Sequence, residues 1–207
     1  MPLLIRRLPV GPYQANSYLV ACLRTLDAVL LDPGDEAQRL LEASAGFNVR
    51  YLIVTHGHPD HIGALAEVKA SLGAPVAYHP ADRSVISVAP DLELADGMDL
   101  PLGDHALRVL HLPGHTPGSI GVLTGADLFA GDTLFPGGPG RTNTPEDLVE
   151  LAHTIKERLF TLAGETTVYP GHGVETTIGR EMEASRAFLA RVEAGWRGSG
   201  DLTWEST

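Results

Sequence analysis

The stretch THGHPDHIGAL, Thr55–Leu65, packs three histidines and an aspartate into the six residues His56 to His61. The run before it, YLIVT (Tyr51–Thr55), is short, β-branched and almost wholly apolar, the pattern of a buried strand. The run after it carries apolar residues at Ile62, Leu65, Ala66, Val68 and Leu72, which is roughly helical spacing. His56, His58, Asp60 and His61 therefore fall on a strand-to-helix loop, held between rigid elements. Protonated imidazoles this close would repel one another. Neutral imidazoles beside a carboxylate can instead converge on a divalent cation, which prefers those donors.

The second half of the chain repeats this pattern of a strand end followed by a donor. HLPGHTPGSIGVL supplies His115, LFAGDTLFPGG supplies Asp132 and TVYPGHGVET supplies His172. Each lies at or just after a predicted strand and is flanked by Gly or Pro, which permit close backbone approach and fixed turns. Strand ends of one layered fold can meet at one edge, so seven donors come into play: His56, His58, Asp60, His61, His115, Asp132 and His172. Seven exceed the four of a tetrahedral zinc and suit two cations about 3.5–4 Å apart that share a carboxylate. Nitrogen and oxygen ligation without thiolate fits zinc first, with iron, manganese or a mixed pair as alternatives.

Around these loops the periodicity predicts strands at 3–8, 17–22, 28–31, 51–55, 76–78, 106–111, 119–124, 127–130 and 167–169. GADL, Gly125–Leu128, reads as a hairpin turn. Helices are predicted at 36–45, 62–72, 145–162 and 177–195, the third with Thr144 as cap and Pro145 at its first position. This mixture implies an α/β (α+β) protein of layered sheets with helices outside. The segment Arg83–Pro101 is loop-rich and could form a flap. The Gly/Ser-rich end, from about residue 198, is expected to be a mobile tail unless Trp204 docks it. The 207 residues fit one domain.

No apolar run is long enough to span a bilayer, and MPLLIRRLPV lacks the apolar core of a secretory leader, so a cytoplasmic location is expected. The single cysteine, Cys22, lies in an apolar run and reads as core packing. A net charge of −11 with no basic cluster beyond Arg6–Arg7 argues against nucleic acid as a partner. His79, His105, His111 and His153 match no ligand pattern and are assigned structural or surface roles.

At this point the motifs resemble a known family. THGHPDH matches the H-x-H-x-D-H signature of the metallo-β-lactamase superfamily, and GHTPGS, GDTLF and PGHG match its later motifs in order. PVGPYQANSYLV, LLDPGD and GDTLFPGGPGRT look like its glyoxalase II (hydroxyacylglutathione hydrolase) branch, over about Val10 to Val174. The resemblance implies a four-layer αββα sandwich with the metal site at one edge of the two sheets. It implies a first metal on His56, His58 and His115, a second on Asp60, His61 and His172, and Asp132 bridging them. Asp32, in LLDPGD, would orient a ligand histidine from behind.

The chemistry implied is thioester hydrolysis by a metal-bridging hydroxide, with Asp60 orienting the nucleophile and later carrying a proton. Arg141 would grip a substrate carboxylate, with Asn143 beside it, although Thr142 and Asn143 depart from the aromatic pattern of this loop in glyoxalase II enzymes. Only 35 residues follow His172, fewer than the C-terminal helical domain through which longer members contact glutathione. The expected partner is a small acyl-thioester; neither nucleic acid nor membrane is expected, and the chain would be a monomer or small homo-oligomer. The alternatives are a persulfide dioxygenase with one iron on His56, His115 and Asp132, a lactonase or other ester hydrolase, and a non-catalytic binding module.

Overall fold

The computed structural model describes residues 3–207; Met1 and Pro2, the start of the stretch read above for a leader, lie outside them. The first sheet is formed by β1 (Leu3–Val10), β2 (Ala15–Cys22), β3 (Asp27–Leu31), β4 (Asn48–Ile53), β5 (Val76–Tyr78) and β6 (Leu92–Glu93), paired in that order. Hairpins make β1 to β3 antiparallel, and β3 to β6 run parallel. Parallel neighbours need crossovers, and α1 (Ala37–Ser44), α2 (Pro59–Ile62) and α3 (Leu65–Leu72) lie in two of them.

The second sheet contains β7 (Asp99–Leu102), β8 (His105–His111), β9 (Ile120–Thr124) and β10 (Asp127–Gly131). A two-stranded ribbon, β11 (Leu134–Phe135) and β12 (Gly138–Pro139), follows β10. After it come α4 (Pro145–Thr154), β13 (Thr167–Pro170), β14 (Thr176–Thr177), α5 (Ile178–Ala184) and α6 (Arg186–Glu193). The sheet order is β14-β13-β10-β9-β8-β7, with only β10 and β13 parallel.

Alternation along the strands builds four layers. Tyr18, Val20, Val29 and Ile53 of the first sheet meet Leu107, Val109, Val122 and Phe129 of the second in one core. Leu19, Leu30 and Leu52, on the opposite face of the first sheet, pack with Leu40 of α1 and Leu65 and Val68 of α3. Leu128 and Val168 of the second sheet pack with Leu148 and Leu151 of α4 and Phe188 of α6. The fold is thus the expected αββα sandwich, and a strand such as β2, buried along its length, is apolar on both faces. No helix among the described residues is long and apolar enough to cross a membrane.

Several elements end elsewhere than periodicity predicts, each for a local reason. The strand predicted to reach Thr55 ends at Ile53: Val54 N still donates to Ala77 O (3.0 Å), but the Thr55 amide turns to the Asp32 carboxylate (2.6 Å). The helix predicted from Ile62 splits at Gly63, and α3 starts only after Ala64 N donates to Pro33 O (3.0 Å). α4 begins on the expected Thr144 cap, with Asp147 completing a capping box, but loosens into a π turn over Ile155–Leu159. The last predicted helix is two, joined at Ser185. In the segment 83–101, Ile86, Leu94 and Leu100 are buried. The C-terminal stretch pairs Gly200 with Thr142 and buries Trp204, whose indole N–H donates to Glu181 (2.7 Å).

Candidate metal centre

The donors gather where the two sheets meet. The first sheet contributes His56, His58, Asp60 and His61, just beyond β4 and on α2. The second contributes His115 from the loop after β8, Asp132 next to the end of β10 and His172 just past β13. The two sheets are stitched together here. Ile120 N donates to Thr55 O (2.9 Å), Asn16 N donates to Gly171 O (2.7 Å), and the Tyr18 hydroxyl donates to Pro170 O (2.7 Å). Burial drives the Tyr18 phenol far above its ordinary pKa, so it serves as a neutral donor.

Two groups of three donors form, each with its donor atoms within 4.8 Å of one another: His56, His58 and His115, and Asp60, His61 and His172. The Asp132 carboxylate lies between them. Its Oδ2 is 4.0 Å from His56 Nε2, 3.7 Å from His115 Nε2 and 3.6 Å from His172 Nε2, and its Oδ1 is 3.5 Å from His61 Nε2. Asp60 Oδ2 lies 3.2 Å from His172 Nε2. This approach requires glycine at 171, where a Cβ would fall 2.0 Å from Asp132 Oδ1.

Hydrogen bonds set which ring nitrogen faces the centre. His115 Nδ1 donates to Arg141 O (2.7 Å), His172 Nδ1 to Tyr13 O (3.1 Å) and His61 Nδ1 to Asp32 Oδ2 (3.0 Å). Thr55 Oγ1 donates to Asp32 Oδ2 (2.6 Å), so its lone pairs accept from His56 Nδ1 (3.1 Å). In each case Nε2 points inward, the arrangement in which outer partners orient a metal-binding imidazole. His56 Nε2 and Asp132 Oδ1 are buried without any hydrogen-bond partner. His115 Nε2 and His58 Nδ1 face each other at 2.9 Å, and His61 Nε2 and His172 Nε2 at 3.4 Å. Facing lone pairs and orphaned acceptors are costly unless a cation or proton sits among them. The donor set therefore fits a divalent metal.

The electrostatics agree. Burial, then the neighbouring imidazoles, hold His56 well below its ordinary pKa, and burial and His115 lower His58. Burial also pulls His61 down, but Asp132, Asp32 and Asp60 outweigh it and lift it to about 9. The second group thus attracts positive charge. Asp32, at 2% exposure and in a left-handed backbone (φ 47°), also belongs by distance to a third group with His56 and His61. Its oxygens are taken by Thr55 N, Thr55 Oγ1 and His61 Nδ1, so it acts behind His61.

The centre opens into a cleft of about 480 Å³ walled by Tyr13, Phe135, Arg141 and Asp201. Arg141 is exposed in that wall; Asn143 is exposed and is not part of it. Of the unassigned histidines, His79 and His111 stack on each other at 4.0 Å, and none of the four joins the donor groups. Sequence reading missed Thr55, the link between Asp32 and His56, and Asp201. Neither has a local pattern to betray it, since each acts through tertiary proximity.

The metallo-beta-lactamase superfamily model matches residues 10–172, a span containing all seven donors. The chain belongs to the metallo-beta-lactamase superfamily. It is 34% identical over 204 residues to hydroxyacylglutathione hydrolase GloC of Haemophilus influenzae, covering 87% of this chain and 96% of that one. Among solved structures it resembles TTHA1623 in a di-iron-bound form (35% identity, TM-score 0.74, 86% and 96% of the two chains). It also resembles ETHE1 from Myxococcus xanthus (29% identity, TM-score 0.79, 93% and 90%). Members of such a fold bind divalent metals, and the His and Asp groups here supply the donors.

Proposed function

We propose that this chain is a glyoxalase II-like thioester hydrolase that uses two divalent cations, zinc first and iron or manganese otherwise, on a small acyl-thioester in the cytoplasm. The observation that carries the reading is the Asp132 carboxylate, within 4.0 Å of inward-facing nitrogens from both donor groups. His56, His58 and His115 would hold one cation, Asp60, His61 and His172 the other, with Asp132 common to both. The chemistry supplied by a bound pair is Lewis acidity, an ionised water near pH of about 7 and a polarised carbonyl.

The chain's own residues do the rest. Asp60 is partly exposed at the cleft floor, where it accepts a hydrogen bond from the attacking water, orients it and receives a proton. Arg141 offers a guanidinium fork to a substrate carboxylate. Tyr13 and Phe135 offer aromatic surface in the cleft wall for the acyl and thiol arms. A thiolate leaving group, with a pKa of about 8.5, departs without a strong acid, which favours thioesters over amides in a site with this donor set.

The test is metal analysis with an anaerobic assay on S-lactoylglutathione. Two cations per chain and thioester cleavage are expected, and Asp132→Ala should lower both metal content and turnover. A fully metallated, fully active Asp132→Ala protein would refute the bridge. A second reading, a one-iron persulfide dioxygenase, is favoured by Asp132 Oδ2 lying within 4.0 Å of both His56 Nε2 and His115 Nε2. One iron per chain and oxygen uptake with glutathione persulfide would select it.

A further inference from the structure

Of the five clustered imidazoles, His58 alone has no protein acceptor on its second nitrogen among the described residues; its Nδ1 faces His115 and its ring is half-buried. Its direction is therefore set by the backbone that carries it. That backbone is held from below by Asp82, the last residue of the one-turn 3-10 helix Pro80–Asp82 after β5. Asp82 is 2% exposed. Its Oδ2 accepts from Gly57 N (2.8 Å) and from Thr116 Oγ1 (2.7 Å), and its Oδ1 accepts from Gly118 N (2.7 Å). Gly57 lies between His56 and His58, and Thr116 follows His115 directly. One buried carboxylate thus ties the two loops that present the first donor group. The contact requires glycine at 118, where a Cβ would fall 2.5 Å from Asp82 Cγ.

We infer that Asp82 is a positioning residue that sets the separation of the His56–His58 loop from the His115 loop, and so the affinity and geometry of the first cation. Asp32 holds the second half from behind through His61; Asp82 does the equivalent for the first half through main chain and a hydroxyl instead of a ring. The inference rests on the two-cation reading above. A buried carboxylate taking three donors is not replaced by an amide of the same shape, because one end of Asn would present N–H groups to N–H and O–H donors.

The experiment is cobalt(II) titration of chelator-stripped protein, followed by visible absorption. Wild type should take two equivalents. His172→Ala, which disables the second group, should retain the equivalent bound by the first. Adding Asp82→Asn to that background should weaken the remaining equivalent about 10–100-fold and change its absorption bands, the range typical for loss of an outer partner. Asp82→Asn alone should leave the other equivalent at wild-type affinity. Thr116→Val, which removes one donor and leaves the carboxylate, should act in the same direction with a smaller loss, and carries the test if the Asp82 variants do not fold. Unchanged cobalt affinity and bands would overturn the inference, as would equal weakening of both equivalents in step with a lower unfolding temperature. A wild type that takes up no cobalt would overturn the two-cation reading and this inference with it.

Discussion

Four imidazoles commit one nitrogen each to a protein oxygen, and that commitment makes the other nitrogen useful. For His61 the partner is Asp32, fully occupied by three donors. Asp32→Ala would strand the Thr55 amide and hydroxyl and free the His61 ring in a dry interior. The expected cost is about 3–5 kcal/mol in urea unfolding, with metal affinity down about 10–100-fold; a variant as stable and as well metallated as wild type would contradict the role. The cation-free protein should also show a pH signature. His61 has a pKa raised to about 9, so its contribution to stability is complete below 6.5 and is lost as pH climbs toward 9. His56 and His58 are lowered, so below 6.5 the unfolded chain takes up protons that the folded one refuses, and stability falls there. Urea midpoints of stripped protein should peak near pH 6.5; a steady rise from 6.5 to 9 would refute the assignment of His61. The seven donors were legible in sequence because they crowd into Gly- and Pro-flanked strand ends. Asp82 was not, because nothing in HPAD distinguishes a carboxylate that turns inward from one that faces water.

Among elements, the C-terminal stretch is the least predictable and the most consequential for the cleft. Trp204 is buried against Phe188 (ring centroids 5.4 Å apart), and Trp204 N donates to Gly137 O (2.9 Å) next to the β11–β12 ribbon. Its indole shares Glu181 with Gly137 N and Thr176 Oγ1. Gly200 pairs with Thr142, which places Asp201 in the cleft wall. Trp204→Ala should cost about 3–5 kcal/mol through the cavity left behind. Trp204→Phe, which keeps a ring but removes the donor to Glu181, should cost about 1–3 kcal/mol. Urea unfolding checks both, and a Trp204→Phe protein as stable as wild type would show that the indole hydrogen bond contributes nothing. Sequence periodicity located the long elements, since β2 or α4 carries enough residues to express its period. It missed β7, at the end of the segment 83–101 read as loop, and β6, β11, β12 and β14, which are two residues long and exist only through their partners. The Gly/Ser-rich composition pointed to a mobile tail, and the stated alternative, docking by Trp204, is what the structure shows, because one tryptophan outweighs several small residues in buried area.

On the scale of the whole molecule, the centre is a joint between halves. Four donors extend from the first sheet and three from the second, and the hydrogen bonds from Asn16, Tyr18 and Ile120 cross at the same edge. Ligands that bridge two bodies stabilise the pair and not either alone, so bound metal should act as a clasp on the sandwich. By mass action, a cation present at one hundred times its dissociation constant adds about 2.7 kcal/mol to the folded state. That gain is spatially biased: the far edge of the core, around Leu107 and Leu102, is fully buried and remains held by apolar packing whether or not metal is present. Chelation should therefore lower the unfolding temperature of the whole chain while speeding amide hydrogen exchange mainly at the ends of β4, β10 and β13 and in the loop around His115. Exchange that accelerates equally at the far ends of β7 and β8 would mean that the metal stabilises the fold diffusely and that the two sheets are not joined through this edge.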